Sequence, residues 1–445
     1  MIRLLLTPVI LFTLYRIALD ATYIFVLSPI YGYMGFTFSF HLLRWAGVFM
    51  ISVLTYYVST ITADKLSALF FELLLWILYA PFACFYSLSG RDTTFFYYMT
   101  LCFCGMHLIL VAPWGCWLAK ITDRLSSLIN IVPAHRKALS KIAFWCVAGI
   151  CILWTLASLY CVWVYADLSN WAAAFNVLRV YEIRAAQNLP SWTAYLFSTQ
   201  TKVINTFILC MLCHKKKYWA MILPILLQIM FYFVLANKSD LFAIVLVLFI
   251  FVIAQWRRTT ACIGVALTAG TLAATIFVFL SKYGLIPYSL YRRTFFAQPL
   301  ISANYFDFFS VHVPLHFSEG RMGRLLGLTY PYPLSTPKLL MGNYSGSLSG
   351  NANGSFLASG FADMGFVGML IYCLVLCVLL LVVSQATKKL PLWFAGSVLA
   401  IYVITLQNTN LFTALGTHGM LLAIFLLMLY GFHAWLDGSK EDIYE

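Results

Sequence analysis

The feature that most constrains this chain is a recurrence of unbroken apolar blocks of about 20 residues, the length a helix needs to cross roughly 30 Å of hydrocarbon. Residues 362–384 (ADMGFVGMLIYCLVLCVLLLVVS) are one such block. Because the hydrocarbon layer holds no water, each block must satisfy its own backbone hydrogen bonds, which selects helices over open sheets. A β-barrel is excluded as well, since the runs are continuously apolar and do not alternate. Composition points the same way: 62% of the residues are hydrophobic and only 10% charged, against about 25% charged in a soluble domain. Too few charges remain to cover a water-facing surface.

The expected fold is therefore all-α, a polytopic transmembrane helical bundle of about 12 spans forming one integral membrane domain over residues 1–445. The spans are placed near 4–29, 41–59, 66–88, 94–116, 141–166, 191–212, 218–236, 239–255, 259–281, 362–384, 391–408 and 413–435, with 218–236 and 239–255 as a tight helical hairpin. The first block holds Arg16 and Asp20, lacks a convincing cleavage site and runs on into Tyr23–Leu27, so it reads as a retained span rather than a signal peptide. Cys102, Cys104, Cys146, Cys151, Cys373 and Cys377 fall within spans, where Cys acts as a small apolar residue.

Lysine and arginine set the expected orientation. One set of alternate connections carries Lys65, then Lys120, Arg124, Arg136, Lys137 and Lys141, then Lys215–Lys217, Arg257-Arg258, Lys388-Lys389 and Lys440. By the positive-inside rule that side is the cytoplasm, and both termini lie there. The opposite side holds two long connections that break the rule. Residues 167–190, the first long periplasmic loop, carry Arg179 and Arg184. Residues 282–361, the large periplasmic loop between spans 9 and 10, carry Lys282, Arg292, Arg293, Arg321, Arg324 and Lys338 against Asp307 and Glu319. Within it, Tyr288, Tyr291, Phe295, Phe296, Tyr305, Phe306, Phe308 and Phe309 offer a surface to the membrane or to a lipid-linked ligand, and 342–354 (GNYSGSLSGNANG) reads as a flexible loop or lid.

No Walker sequence, no GxGxxG before a helix, no HExxH and no GxSxG occurs, so no cofactor, metal or nucleic acid is expected. What remains is a cationic, aromatic surface beside the bilayer. Arginine pairs with two phosphate oxygens at once and keeps its charge, so an arginine cluster there suits a lipid-borne diphosphate; the plainer alternative is snorkelling to headgroups. Inside the spans, Arg16 and Asp20 stand one helical turn apart and can neutralise each other. Lys202 lies mid-span and can line a cavity with Gln200 and Asn205 or serve an anionic headgroup, while Glu72 and His107 read as interhelical contacts. Candidate proton acceptors are Glu182, Asp307, His312, His316, Glu319, Asp363 and His418, with His312 and His316 on one face if that stretch is helical.

Several stretches carry a family likeness. YEIR (Tyr181–Arg184), TKVIN (Thr201–Asn205), NKSDL (Asn237–Leu241), YRRTFFAQPLISANYFDFFS (Tyr291–Ser310), NANGSFLASGFADMGFVGMLIY (Asn351–Tyr372) and LFTALGTHGMLL (Leu411–Leu422) resemble, in order over about residues 175–425, segments of bacterial Wzy-type O-antigen polymerases. The first 150 residues match that family only in hydropathy. The resemblance implies a periplasm-facing glycosyltransferase of the bacterial inner membrane that joins O-antigen repeat units carried on undecaprenyl diphosphate. The growing chain passes from its carrier to the next lipid-linked repeat, without nucleotide sugar or metal. Its implied partners are that lipid-linked oligosaccharide as donor and acceptor, membrane lipids and a chain-length regulator protein. On this reading Arg179, Arg184, Lys202, Lys238, Arg292, Arg293, Tyr305, Arg321 and Arg324 bind substrate, and a base among Glu182, Asp307, His312 and Glu319 activates the acceptor hydroxyl. Two other classes stay open: an O-antigen ligase, which has a similar bundle and loop, and a lipid-linked oligosaccharide flippase or transporter, for which charges through the bundle and inverted repeats are expected.

Overall fold

The computed structural model describes residues 2–59, 65–112, 133–166, 189–190, 192–235, 238–254, 259–281, 284–348 and 350–437. Among these residues all regular structure is helical. Among the described residues, ten helices, from Pro8–Met34 to Met420–Asp437, are long and apolar enough to cross a membrane. Two further apolar helices, Phe242–Ile253 and Leu392–Gln407, are shorter and fall on the expected spans 239–255 and 391–408. The second has 16 residues, about 24 Å at 1.5 Å per residue.

The surface is that of a protein in lipid. On the first helix Ile10, Leu14 and Ile17 are exposed while Phe12, Tyr15 and Leu19 are buried. On helix Pro133–Tyr165 the exposed residues include Ile142, Trp145, Ile152, Leu156 and Trp163. Apolar stripes of this length would drive association in water and are matched by a hydrocarbon solvent. This is a membrane protein.

Two compact units make up the chain. The first comprises Met1–Trp114, Arg258–Leu380 and Val403–Phe412. Here Ile2–Thr22 packs along Thr259–Leu280, and Ala297–Phe309 packs on Ala80–Leu88 and Thr336–Ser345. The short connections 35–41 and 89–93 meet at one end of this unit: Ser39 N–H donates to Leu88 O at 2.8 Å, and Thr37 Oγ1 to Ser89 O at 2.7 Å. Leu300 lies 3.2 Å from where a Cβ on Gly35 would stand, so Ala297–Phe309 joins the same end. The second unit comprises Gly115–Arg257, Leu381–Tyr402 and Thr413–Glu445. In it Met420–Asp437 lies along Pro133–Tyr165, and Ile222–Leu235 forms a hairpin with Lys238–Ala254.

Several sequence expectations change. The stretch 282–361 contains four whole helices among its described residues, Leu285–Phe295, Ala297–Phe309, Gly320–Leu325 and Thr336–Ser345, and the start of a fifth, Phe356–Ala386. Its aromatics are largely interior: Tyr288, Phe296, Tyr305, Phe308 and Phe309 are buried, because the short helices need a core of their own. The 342–354 segment is not wholly a loop, since helix Thr336–Ser345 takes its first residues. His312 and His316 do not share a helix face; they lie in a turn where His316 and Phe317 both have positive φ, 51° and 60°. The expected span 413–435 is broken at Gly419, φ +75°, between Leu411–Gly416 and Met420–Asp437. A Cys210-x-x-Cys213 spacing escapes the sequence reading; both thiols are buried in helix Asn205–His214, where they pack as apolar groups.

Arg16 and Asp20 do pair, and the pair is extended: Arg16 Nη2 donates to Ser87 Oγ at 2.9 Å, and Trp45 Nε1 to Asp20 Oδ2 at 3.0 Å. This network ties three helices together inside the apolar unit. Tyr56 donates to Glu72 at 2.6 Å across two helices. His107 instead packs against the Phe71 ring, and its Nδ1 finds no hydrogen-bond partner among the described residues.

Candidate functional site

Polar chemistry gathers in two places, one in each unit. In the first unit, helix Ala297–Phe309 presents Asp307 to Arg91, which stands in the 89–93 connection. Their ion pair measures 2.5 Å, with Arg91 Nη2 also 3.4 Å from Asn304 Oδ1. Burial raises the Asp307 carboxyl, and the Arg91 guanidinium partly offsets that rise. Arg91 is a site cation that the sequence reading overlooked, because its partner lies 216 residues away.

Arg292 sits near the C-terminal end of helix Leu285–Phe295. Its Cζ lies 4.6 Å from the centre of the Tyr31 ring and its Nη1 3.4 Å from Met34 Sδ. The ring's negative face attracts the cation without neutralising it. Arg293, next to it, is exposed. Tyr305 is buried, and its hydroxyl donates to Ala352 O at 3.1 Å. Its ring occupies the space beside Gly354, where a Cβ would come within 2.9 Å of it. Ser302 Oγ and Ser355 Oγ are 3.1 Å apart. Tyr305 thus holds the 351–355 segment against its own helix.

The carboxylates and imidazoles of this unit have different surroundings. Glu319 Oε1 accepts the Thr336 N–H at 2.8 Å, at the start of helix Thr336–Ser345; burial raises its pKa and the Thr336 donors pull against the rise. Asp363 is more fully engaged: Oδ2 accepts from Tyr372 Oη at 2.5 Å, and Oδ1 from Phe317 N–H at 3.2 Å. Tyr372 Oη in turn accepts from Asn410 Nδ2 at 2.7 Å. This chain ties the left-handed turn at His316-Phe317 to the kink at Met364-Gly365. His312 is exposed and stacks on Phe308, with ring centres 3.9 Å apart and planes 3° from parallel. Its Nδ1 lies 2.8 Å from Phe308 O. A carbonyl only accepts, so in the neutral ring Nδ1 carries the proton and Nε2 keeps its lone pair.

The second unit holds Lys202. Helix Thr193–Thr199 passes into a π turn over Gln200–Ile204 before resuming as Asn205–His214. In that turn Lys202 Nζ reaches His418 Nδ1 at 3.1 Å, and Ser198 Oγ approaches the same nitrogen at 3.0 Å. Gln200 and Asn205 form an amide chain, Gln200 to Asn205 at 2.8 Å and Asn205 to Gln228 at 2.6 Å. His418 is pinned from behind, since Tyr402 Oη donates to its carbonyl at 3.1 Å. Gly419 allows the approach: a Cβ there would stand 2.9 Å from Val203 Cγ2 and 3.0 Å from Thr199 Oγ1.

The remaining expected residues are placed as follows. Arg324 is exposed, its Nε 3.4 Å from Gly320 O. Arg321 and Lys238 lie in helices whose backbone is described, but their side chains are outside the described residues. Arg179, Glu182 and Arg184 lie outside the described residues altogether. Comparison with protein-family models, with curated proteins and with solved structures returns no match.

Proposed function

We propose that this chain is a bacterial O-antigen polymerase: an inner-membrane glycosyltransferase that joins undecaprenyl-diphosphate-linked repeat units on the periplasmic side. The observation that carries the reading is how the segments resembling that family assemble. Tyr291–Ser310 and Asn351–Tyr372 pack on each other through Tyr305–Ala352 and Ser302–Ser355. Separately, Thr201–Asn205 meets Leu411–Leu422 through Lys202 and His418. Segments far apart in sequence thus form two polar clusters, which is what shared chemistry requires.

On this reading the two short apolar helices count as spans, giving twelve, with both termini cytoplasmic and residues 167–190 and 282–361 periplasmic. Arg292, Arg293 and Arg91 engage the donor diphosphate and stabilise its charge as it leaves. The acceptor hydroxyl oxygen attacks the anomeric carbon. The bond from that carbon to the phosphate oxygen breaks, and undecaprenyl diphosphate departs with the electron pair. The hydroxyl proton passes to His312 Nε2, whose lone pair is set free by the carbonyl on Nδ1.

Purified protein given lipid-linked repeats in detergent should produce a ladder of polymer. His312→Ala and Arg292→Ala, at normal membrane levels, should leave single repeats. Wild-type ladders from both variants would overturn the assignment. Repeats that fail to polymerise but transfer to lipid A–core would identify a ligase instead.

A further inference from the structure

We propose that the cleft between helices Pro133–Tyr165 and Met420–Asp437, within the second unit, binds the phosphate headgroup of an anionic phospholipid through Lys141 and Lys215. The inference goes beyond the glycosyltransferase reading and holds whatever reaction the chain performs. The cleft has a volume of about 200 Å³, with Ser140 and His433 beside Lys141 and Lys215, and with Phe144, Trp145 and Asp437 completing its lining.

Two ties, one helical turn apart, hold the walls together. Ser140 Oγ lies 2.8 Å from His433 Nδ1, and that nitrogen is 3.0 Å from Ser140 O. One turn earlier on the same helix, Arg136 Nη2 donates to Trp435 O at 3.1 Å, and its Cζ stands 4.9 Å from the Trp435 ring centre. Those groups occupy one another, whereas the lysines keep their charge. Lys215 follows helix Asn205–His214, where Lys217 N–H donates to Leu212 O at 2.9 Å and Lys216 has a positive φ of 55°. This left-handed ending reverses the chain and sets Lys215 Nζ 5.9 Å from the Phe144 ring centre. A ring face attracts an ammonium group without neutralising it. Lys141, next to Ser140, is exposed. The ion pairs among the described residues are Arg16–Asp20 and Arg91–Asp307, so no carboxylate there closes on either lysine. With Asp437 on the lining, the cleft carries two positive charges against one negative.

The surroundings select a lipid over a free phosphate. Trp145, one turn beyond Lys141, is 66% exposed, and Ile142, Ile152 and Leu156 share its side of the helix and are exposed too. A headgroup in the cleft lays its acyl chains along that apolar stripe. Tyr218 and Trp219, directly after Lys217, are also exposed; aromatic rings beside lysines at a helix end mark the level of the bilayer interface. A basic pocket between spans at that level suits an anionic headgroup. A zwitterionic headgroup brings a cation of its own, which two ammonium groups repel.

The test is lipid retention by the purified full chain in detergent, read by native mass spectrometry with phosphatidylglycerol and phosphatidylcholine supplied in turn. Phosphatidylglycerol should bind, and phosphatidylcholine should not compete with it. Lys141→Gln with Lys215→Gln should weaken phosphatidylglycerol by about 10-fold or more. Lys388→Gln with Lys389→Gln removes equal charge from exposed positions outside the cleft and should leave binding unchanged. Asp437→Asn should tighten binding, a gain that misfolding cannot mimic and that decides the matter if the first double variant cannot be purified. Glycerol phosphate, added as competitor, should displace the lipid only in large excess, because it lacks the chains that lie along the Trp145 stripe. Equal loss in the two lysine pairs, no gain in Asp437→Asn, equal uptake of phosphatidylcholine, or displacement by glycerol phosphate at equal concentration would overturn the proposal.

Discussion

Arg292 and Lys202 are both cations set beside a ring, a phenol in one unit and an imidazole in the other, and the two units hold them in different ways. Arg292 lies half-buried over the Tyr31 ring, with a thioether beside one nitrogen. Lys202 is buried within a helix and faces a neutral imidazole and a hydroxyl. The first arrangement leaves the guanidinium fork presentable, because a ring face attracts charge without consuming its donors. The second fixes a point charge by geometry, through a π turn and a glycine corner. A site at the end of a unit can use the longer, always-charged side chain; a site within a helix bundle has to be built from the backbone outward.

The largest expected effect separates the two directly. Arg292→Ala should lower polymer synthesis by about 100-fold or more, as loss of a preorganised charge stabiliser does. Arg292→Lys should recover only part of that, since a point charge cannot replace the fork. Equal activity in the Lys variant would show that only charge is needed and would erase the contrast with Lys202.

A smaller loss is expected from Gly419→Ala. The left-handed backbone and the crowding against Val203 and Thr199 should cost about 1–3 kcal/mol. Thermal unfolding in detergent should show it. A Gly419→Ala as stable as the wild type would mean the corner is not what positions His418. Tyr372→Phe removes one of two donors to Asp363, and an under-satisfied buried carboxylate should lower stability by about 1–3 kcal/mol.

The smallest effect concerns Arg91 and Asp307, whose side chains are 31% and 35% exposed. A double-mutant cycle should return a coupling of about 0.2–1 kcal/mol, shrinking with added salt.

The sequence by itself determined the class of fold: apolar blocks of membrane-crossing length leave no water-soluble alternative, and helices alone satisfy their backbone there. It also showed Arg16 facing Asp20 one turn on, because that spacing is local. Only the tertiary structure decided who meets whom. Arg91 finds Asp307 and Lys202 finds His418 across more than 200 residues, and no periodicity encodes such a pairing. Likewise the aromatics of 282–361 read as a surface in sequence and became a core in three dimensions. Hydrophobic pattern records that a ring avoids water, whereas packing determines whether lipid or protein takes water's place.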